Sequence, residues 1–574
     1  MGEENPLGHS AVRGEGAHRR VPRAEDFGWN DSLYDGPEGD GTDADAPAGE
    51  SAGSDRPAAP ASRNGHGPKG PQGPDGSRRD RPRIPRRGKR VLRWTALGLS
   101  VLILGTAGVG YFYYEHLNGN LTRKPLNLGG EQLRHGTDAN GRSPVNILLL
   151  GSDSRGSRRN VELGGARDDA DRKPLADVQM LLHLSADRDS MSVLSIPRDT
   201  KVTIPECTDP EDGTVHPRTV DRINSSLQHG GPGCTVATWM ELTGIPIDHF
   251  MMIDFAGVVD MADAVGGVPV CVDANVHDRR SGLRLKKGTT TVTGEQALQW
   301  LRTRHGFEDG SDIGRAKAQH MYMNSMVRRL KAGTKLTDPG KLRSLAEAAT
   351  KALTVDEGID TVKDLYDLAN ELKQVPTDRI TMATMPWEYS DGGSYVVPKP
   401  GEAEEVFSLI RDDIALDGKD AKSEKGAEKG TEDPAAPSDR IPVRVRNGTG
   451  STTLAPVDGR AAVLTDRLHR LGFTRATADP TSVSQANTTL SYADEDRRGD
   501  ALAVAKALGL PERAVRRSAD AEGITLVIGA DWRAGVTYPR TKEAAEDRGA
   551  PESARALNGG DTEACMRVNR SFTW

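Results

Sequence analysis

The chain has 574 residues, with 76 Lys and Arg against 83 Asp and Glu, a net charge of −7 and 4 cysteines. This length holds two or three domains with a real core, and the charge is spread too unevenly for its sum to select a partner class. No Ser-His-Asp, zinc-like or cysteine-nucleophile pattern is present, which excludes those chemistries as the leading reading.

Residues 1–93 are rich in Gly, Pro, Ala, Asp, Arg and Ser. Almost no apolar periodicity is present to offset the entropy of folding, so disorder is expected. The stretch ends in a basic run that includes Arg86, Arg87, Lys89, Arg90 and Arg93. Such a run suits nucleic acid or the inner surface of a membrane, and the adjoining apolar stretch favours the membrane. Residues 94–114 contain no charge and are long enough to cross a bilayer as one helix. Trp94, Tyr111, Tyr113 and Tyr114 mark its ends as interfacial aromatics. Positive residues before a span stay on the cytoplasmic side. The expectation is a single-pass membrane protein with a cytoplasmic N-terminus, an extracellular remainder after Glu115 and no nucleic-acid partner. The segment is too long, and too far from residue 1, for a cleaved signal peptide.

A first folded domain is expected over 120–416. Residues 145–150 form a continuous apolar run, read as a buried strand, and lead into Gly151, Ser152, Asp153, Ser154 and Arg155. A second strand over 176–184 has Asp177 at its start. A third over 191–196 is followed by Pro197, Arg198 and Asp199. Three apolar strands that each begin or end in charge present polar groups at one rim of a sheet; the simpler reading of each is a local turn or salt pair. Arg222, Ile223 and Asn224 precede a short helix. Residues 246–272 read as strand, helix, strand, and the helix over about 256–265 stops at Gly266 and Gly267.

Thr293 with Gln296 has the form of a capping box. The helix it opens carries Ala297, Leu298 and Leu301 inward and delivers Arg302 and Arg304 at its end. A second helix, over about 312–330, has Ala316, Met323, Val327 and Leu330 as its buried stripe. Beside that stripe, Asp312, Arg315 and Gln319 recur on one face. Guanidinium forks grip phosphate oxygens in pairs, so these five side chains read as converging on one anion. The plainer alternative is a solvated helix hairpin with surface ion pairs. His305 and His320 border the window and read as ordinary surface or core histidines. Two or three more helices are expected over 339–373 and a strand over 379–385.

Outside the membrane, cysteines oxidise. Cys207 and Cys234 flank a loop-rich stretch and are expected to pair. Cys271 sits in an apolar run and reads as core, while Cys565 lies in a polar tail; four cysteines allow three pairings. Residues 417–440 are a charged linker. Residues 441–532 read as a small α/β module of alternating strands and helices. Its Asn447, Gly448, Thr449 and Gly450 lack the spacing of a nucleotide loop. Residues 533–574 are expected to be a mobile, disordered tail.

The motifs LLLGSDSR, LADVQMLLHL, LSIPRDT, RINSSLQHGGP, DAVGGVPVCV and GEQALQWLRTRHGFEDGSDIGRAKAQ stand in that order over roughly 143–387. Together they resemble the LytR-CpsA-Psr family, and residues 441–532 resemble the LytR C-terminal domain. The resemblance implies an α/β (α+β) fold: a central, mostly antiparallel sheet flanked by helices, with a groove for a polyprenyl chain. It implies a phosphotransferase that moves a glycopolymer, such as a teichoic acid, from a polyprenyl-pyrophosphate carrier to peptidoglycan through a phosphodiester. By the same resemblance Asp153 and Asp177 hold Mg2+. Arg198, Arg222, Arg302, Arg304 and Arg315 grip the pyrophosphate with Gln319, and Asp312 orients an arginine or acts as a base. The family usually has an arginine where this chain has Leu175, which leaves Arg172 or Lys173 to compensate. Two other readings stand beside the enzyme: a weakened envelope tether, for which Leu175 is the support, and a membrane-linked regulator.

Overall fold

A computed structural model describes residues 86–126, 137–138, 140–164, 172–333, 339–419, 435–450, 455–539 and 549–574. The disorder expected before residue 86, and most of the linker expected at 417–440, lie outside these residues. Helix α1 (Arg86–Asn120) begins ahead of the expected span, so the last basic residues are helical. Within it, residues 93–120 hold an 18-residue window of mean hydropathy 1.6, apolar and long enough to be a candidate membrane span. Its side chains are bare: Leu104 is 71% and Phe112 74% exposed. The helix changes character at its end, where Leu117 is buried, as is Leu121 just beyond it.

The chain then enters an eight-stranded sheet. Its strands are β1 (Thr122–Arg123), β2 (Val145–Ser152), β3 (Ala176–Leu184), β4 (Met191–Ser195), β5 (His249–Ile253), β6 (Leu353–Val355), β7 (Ile380–Thr384) and, from the far C-terminus, β13 (Leu557–Asn558). The spatial order is β1-β6-β5-β2-β3-β4-β7-β13. Pairings β5–β6, β2–β3, β3–β4 and β7–β13 are antiparallel, whereas β1–β6, β2–β5 and β4–β7 are parallel. Four of these seven pairings are antiparallel and three are parallel, so the sheet is mixed with an antiparallel majority. Strand β3 is buried on both faces from Gln179 onward, its polar Gln179 and His183 included. Leu181 and Leu194 pack toward α2 (Ser226–Thr243) and its Trp239, while Met180, Leu182 and Val193 pack beneath α5 (Asp312–Gly333) and α7 (Val362–Gln374).

The other longer helices of this domain are α3 (Phe255–Ala264), α4 (Gly294–Arg302), α6 (Pro339–Ala352) and α8 (Glu402–Arg411), with one short helix over Arg158–Glu162. Thr293 is the N-cap of α4 but makes no side-chain capping bond, so the expected capping box is absent. Helix α5 has two buried faces, not one stripe. Ala318 and Tyr322 face a cluster with Trp300 and Phe307, whereas Met323 and Val327 face the sheet.

A second domain carries a five-stranded sheet in the order β9-β8-β12-β10-β11. These strands are β8 (Val443–Gly450), β9 (Ala476–Ser484), β10 (Thr489–Tyr492), β11 (Val515–Arg517) and β12 (Ile524–Ile528). Helices α9 (Arg460–Arg470) and α10 (Arg498–Leu508) complete it around its own core. Asp412 joins the two domains, accepting from Asn487 Nδ2 at 2.6 Å.

Cys207 and Cys234 are bonded as expected, and Cys271 is bonded to Cys565 rather than being a free core thiol. The tail is not loose over 549–574. Met566 and Val568 are buried among Val272 and Phe307, and β13 extends the central sheet. Single apolar residues set among polar ones gave no periodic signal of this docking.

Candidate active site

One rim of the sheet gathers the strand-end motifs, for a topological reason. Antiparallel pairing puts Ser152 opposite Ala176 and Met180 opposite Ser195, so the end of β2, the start of β3 and the end of β4 share an edge. Parallel pairing adds the ends of β5 and β7, where Ile253 meets Gly151 and Thr384 meets Ser195. Asp153, Asp177 and Arg198 therefore meet despite their sequence distance.

Asp153 Oδ1 accepts from the Leu175 backbone N–H at 2.7 Å, and the Arg172 guanidinium donates to its Oδ2. Arg155 Nη2 lies 3.9 Å from the same oxygen. Asp177 Oδ1 accepts from Arg198 Nη1 at 3.1 Å and from Asn224 Nδ2 at 3.4 Å. Arg222 Nε lies 3.2 Å from Asp199 Oδ1, and its guanidinium covers the Tyr395 ring at 4.7 Å.

The α4–α5 hairpin supplies the other half. Arg302 donates to Leu163 O at 2.8 Å and Gly164 O at 3.2 Å and lies over Phe255 at 4.8 Å. Gly164 has φ +127°, and a Cβ there would collide with the Arg302 guanidinium, so this approach needs glycine. Arg315 Nη2 is 2.9 and 3.0 Å from the two oxygens of Asp312. Arg304 Nε is 3.9 Å from Asp312 Oδ1. Gln319 donates to Leu301 O at 3.2 Å.

Two cavities, of about 410 and 460 Å3, share one wall made of Asp177, Val178, Arg198, Arg315 and Gln319. The first is lined by Arg304, Asp312, Lys317 and the aromatics Trp387, Tyr389 and Tyr395. The second is lined by Arg302, Asp153, Arg155 and Arg172 beside an apolar group of Ile253, Phe255, Val258, Leu298 and Leu301. The five residues of the α4–α5 window thus do not surround one point. Arg302 and Arg304 flank the shared wall from opposite cavities, and Arg222 lines neither, touching the rim through Asp199 and Tyr395.

The wall is short of negative charge. Burial holds Arg302 below the ordinary guanidinium range, with Asp177 and Asp153 offsetting only part of the effect. Burial lowers Arg315 likewise, opposed by Asp312 and reinforced by neighbouring Arg198 and Arg304. Burial also opposes the charge of Arg198, but Asp177, Asp312 and Asp199 outweigh it. The Nε–H groups of Arg198 and Arg304 are buried without a hydrogen-bond acceptor among the described residues. Buried donors are rarely left so, and an anion with several oxygens would satisfy them.

Among the described residues no group of three or more His, Cys, Asp or Glu could hold a metal ion by itself. Asp153 and Asp177 nevertheless both line the second cavity. They fit the hard-oxygen preference of magnesium, which commonly takes one or two carboxylates and completes its shell with phosphate and water. Asp153 would share its oxygens with Arg172.

Sequence reasoning did not single out the rim aromatics Trp387, Tyr389 and Tyr395, or Ser553 and Arg555 from the tail, all of which line the first cavity. The hairpin Trp387–Ser390 with Tyr395–Pro398 carries the aromatics, and its alternation is too short to stand out. His320 is buried, with Nε2 3.0 Å from Ser195 Oγ, and lines the inner end of the first cavity. His305 contacts Arg280 and stacks on Phe572 outside both cavities. Lys173 turns away to Asp209 and Asp212, which leaves Arg172 at the site.

Residues 115–411 match the model of the LytR_cpsA_psr family, and residues 440–532 match LytR cell envelope-related transcriptional attenuator. The chain is 28% identical over 511 residues to the cell wall biosynthesis protein LcpA of Corynebacterium glutamicum, covering 83% of this chain and 95% of that one. It is 30% identical over 306 residues to the polyisoprenyl-teichoic acid–peptidoglycan teichoic acid transferase TagU of Bacillus cereus, covering 52% and 92%. A solved LytR-Csp2A-Psr enzyme from Actinomyces oris aligns with TM-score 0.39 and 22% identity, over 50% of this chain and 95% of that one.

Proposed function

The chain belongs to the LytR-CpsA-Psr family, and from that premise we propose that it transfers a glycopolymer from a polyprenyl-pyrophosphate carrier to peptidoglycan, outside the membrane that α1 spans. The observation that carries this reading is the cationic wall between two unlike cavities. A pyrophosphate diester has the same layout: two charged groups in the middle, a greasy chain on one side and a sugar on the other.

In this arrangement the polyprenyl chain enters the cavity of Ile253, Phe255, Val258, Leu298 and Leu301. The glycan and the peptidoglycan acceptor occupy the cavity with Trp387, Tyr389 and Tyr395, whose rings suit sugar faces. Arg302 holds the phosphate on the lipid side. Arg304 and Arg198 donate their unsatisfied Nε–H groups to the phosphate bearing the glycan, and Arg315 spans both. A muramic-acid hydroxyl attacks the glycan-bearing phosphorus, a phosphodiester forms, and the P–O bond to polyprenyl phosphate breaks. Charge grows on the bridging and equatorial oxygens, where fixed guanidiniums stabilise it most. Magnesium, held by Asp153 and Asp177, would neutralise the same oxygens when bound. Asp312 Oδ2 accepts from Arg315 Nη2 at 3.0 Å and so orients that arginine, while its buried Oδ1 has no hydrogen-bond donor among the described residues and is placed to take the proton of the attacking hydroxyl.

The tether reading rested on Leu175. Arg172 places a guanidinium at Asp153, and the Leu175 amide anchors the same carboxylate, which supports the enzyme over the tether. Incubation of the full chain with a polyprenyl-pyrophosphate-linked glycan, peptidoglycan strands and Mg2+ separates the two. The enzyme releases polyprenyl monophosphate and leaves glycan covalently on the strands; a tether releases none.

A further inference from the structure

We propose that Arg555, carried to the first cavity by the docked tail, binds an acidic group of the sugar-side substrate beyond the pyrophosphate, a carboxylate or a phosphate, and so sets which substrate is accepted. This rests on the transfer reading above.

The charges of the first cavity carry the inference. Its four lining acids are all engaged. Asp177 pairs with Arg198 at 3.1 Å and Asp199 with Arg222 at 3.2 Å. Asp312 Oδ2 accepts from Arg315 at 3.0 Å, and Glu308 pairs with both Lys317 at 2.7 Å and Arg567 at 2.8 Å. Arg304 faces the pyrophosphate in the proposed function. Arg555 is left over. It lines the same cavity, exposed at its edge, and its guanidinium makes no hydrogen bond or ion pair among the described residues. Hydrogen bonds from Ser311 hold the Asp309 carboxyl below its ordinary range, and Arg555 adds only charge at longer reach.

The tail fixes this arginine in place. Ala554 is fully buried in the core around Trp239, and the Ser553 hydroxyl donates to the Glu402 carboxylate. Beyond Arg555, Leu557 and Asn558 pair with Met382 and Thr381 of β7. The Gly559 N–H donates to Ile380 O at 2.8 Å, and Arg328 donates to Gly559 O at 2.8 Å. Between these anchors Arg555 has φ +49°. A residue with a side chain seldom adopts that conformation, and it persists where the surroundings impose it, with a bias toward binding sites. The same tail braces the turn after α4: the Glu308 N–H donates to Arg567 O at 2.9 Å and the Asn569 N–H to Gly306 O at 3.0 Å. One segment therefore sets Arg304 and Arg555 relative to each other, and a group held in advance loses less freedom on binding.

A guanidinium fork left without an acceptor suits a carboxylate or a phosphate. Both occupants of this cavity can offer one: the peptidoglycan acceptor as a stem-peptide carboxylate, the glycan as a phosphate or an acidic sugar. Residues 549–574 lie outside the stretches that place the chain in its family, 115–411 and 440–532, so this selectivity is a property of the tail.

Transfer by the full chain is measured with Mg2+, pairing a polyprenyl-pyrophosphate-linked glycan that is neutral or phosphate-bearing with peptidoglycan strands whose stem carboxylates are free or converted to amides. Wild type is compared with Arg555→Ala, Arg555→Lys and Arg570→Ala, the last removing the same charge from the same tail outside both cavities. Arg555→Ala should raise KM about 10-fold for the one substrate whose acid it binds, with kcat within about twofold, and Arg555→Lys should recover at least part of that loss. Masking that acid should raise the wild-type KM by a similar factor and erase the difference between wild type and Arg555→Ala. The masked substrates probe the unaltered chain, so they decide the matter even where a variant loosens the tail. An effect that follows the stem carboxylate assigns the contact to the acceptor, and one that follows the phosphate assigns it to the glycan. A KM indifferent to both acids, with transfer intact, overturns the proposal and leaves the function standing. So does a loss in Arg570→Ala equal to that in Arg555→Ala. No transfer by wild type with any pairing overturns the function and the proposal with it.

Discussion

Arg172 and Lys173 are adjacent, yet the fold sends them to different tasks. Arg172 reaches Asp153 beside the shared wall, whereas Lys173 pairs with Asp209 and Asp212. Arg172→Ala should lower kcat/KM for glycan transfer by roughly 10- to 100-fold, the loss expected when one guanidinium leaves a phosphate site. Lys173→Ala should stay within about twofold, because its partners lie outside the cavities. Gly164 makes a subtler test: Gly164→Ala leaves every cavity arginine in the sequence but drives the Arg302 guanidinium from its seat, so transfer should fall about as far as in Arg302→Ala. His320 sets an acid limit on stability. Burial pushes its pKa from 6.5 down to about 4. Its contribution is complete above about 6.5 and is lost as pH falls toward about 4, at up to ~1.4 kcal/mol per pH unit. His249 runs the other way. Although burial opposes it, Asp356 raises its pKa, so its contribution is full below about 6.5 and fades at higher pH. Thermal melts between pH 4 and 7 should therefore flatten on the acid side in His320→Asn, and an unchanged slope would assign the loss to other groups.

Elements were legible where burial alone decided them. Strands β2, β3 and β4 are rich in apolar residues because both faces of the sheet are covered, and the charged residues at their ends fall on one rim. Helix α5 was legible as a helix but not in its packing. It is wedged between the sheet and the Trp300 cluster, and two half-buried faces give no single stripe. The aromatic hairpin and the docked tail were hidden because each contributes only two or three apolar positions. The tail nevertheless joins β13 to the sheet and Cys565 to Cys271, closing a span of 294 residues. A crosslink over a loop of that size constrains the unfolded chain strongly. Replacing both cysteines by serine should cost about 2–4 kcal/mol, read as a lower Tm and as faster proteolysis within residues 549–574.

Across the whole molecule, sequence motifs indicated which residues meet but not how they divide. Arg302 and Arg304 are two apart and read as one grip; the turn after α4 places them on opposite sides of Arg315, facing a greasy cavity and an aromatic one. That division requires three-dimensional spacing, because it depends on β5, β7 and the tail arriving at the same rim from distant parts of the chain. It also makes the chemistry specific. In the proposed function, a donor seated across the wall would expose its glycan-bearing phosphorus to the acceptor cavity and keep its lipid-bearing phosphorus on the other side. The most direct test uses a polyprenyl-pyrophosphate-linked glycan carrying 32P only in the phosphate next to the sugar, with peptidoglycan and Mg2+. The account predicts that the label moves to the peptidoglycan while unlabelled polyprenyl phosphate is released, and that Arg304→Ala abolishes the movement. Label recovered in polyprenyl pyrophosphate, with sugar alone on the wall, would mean attack at carbon and would contradict it.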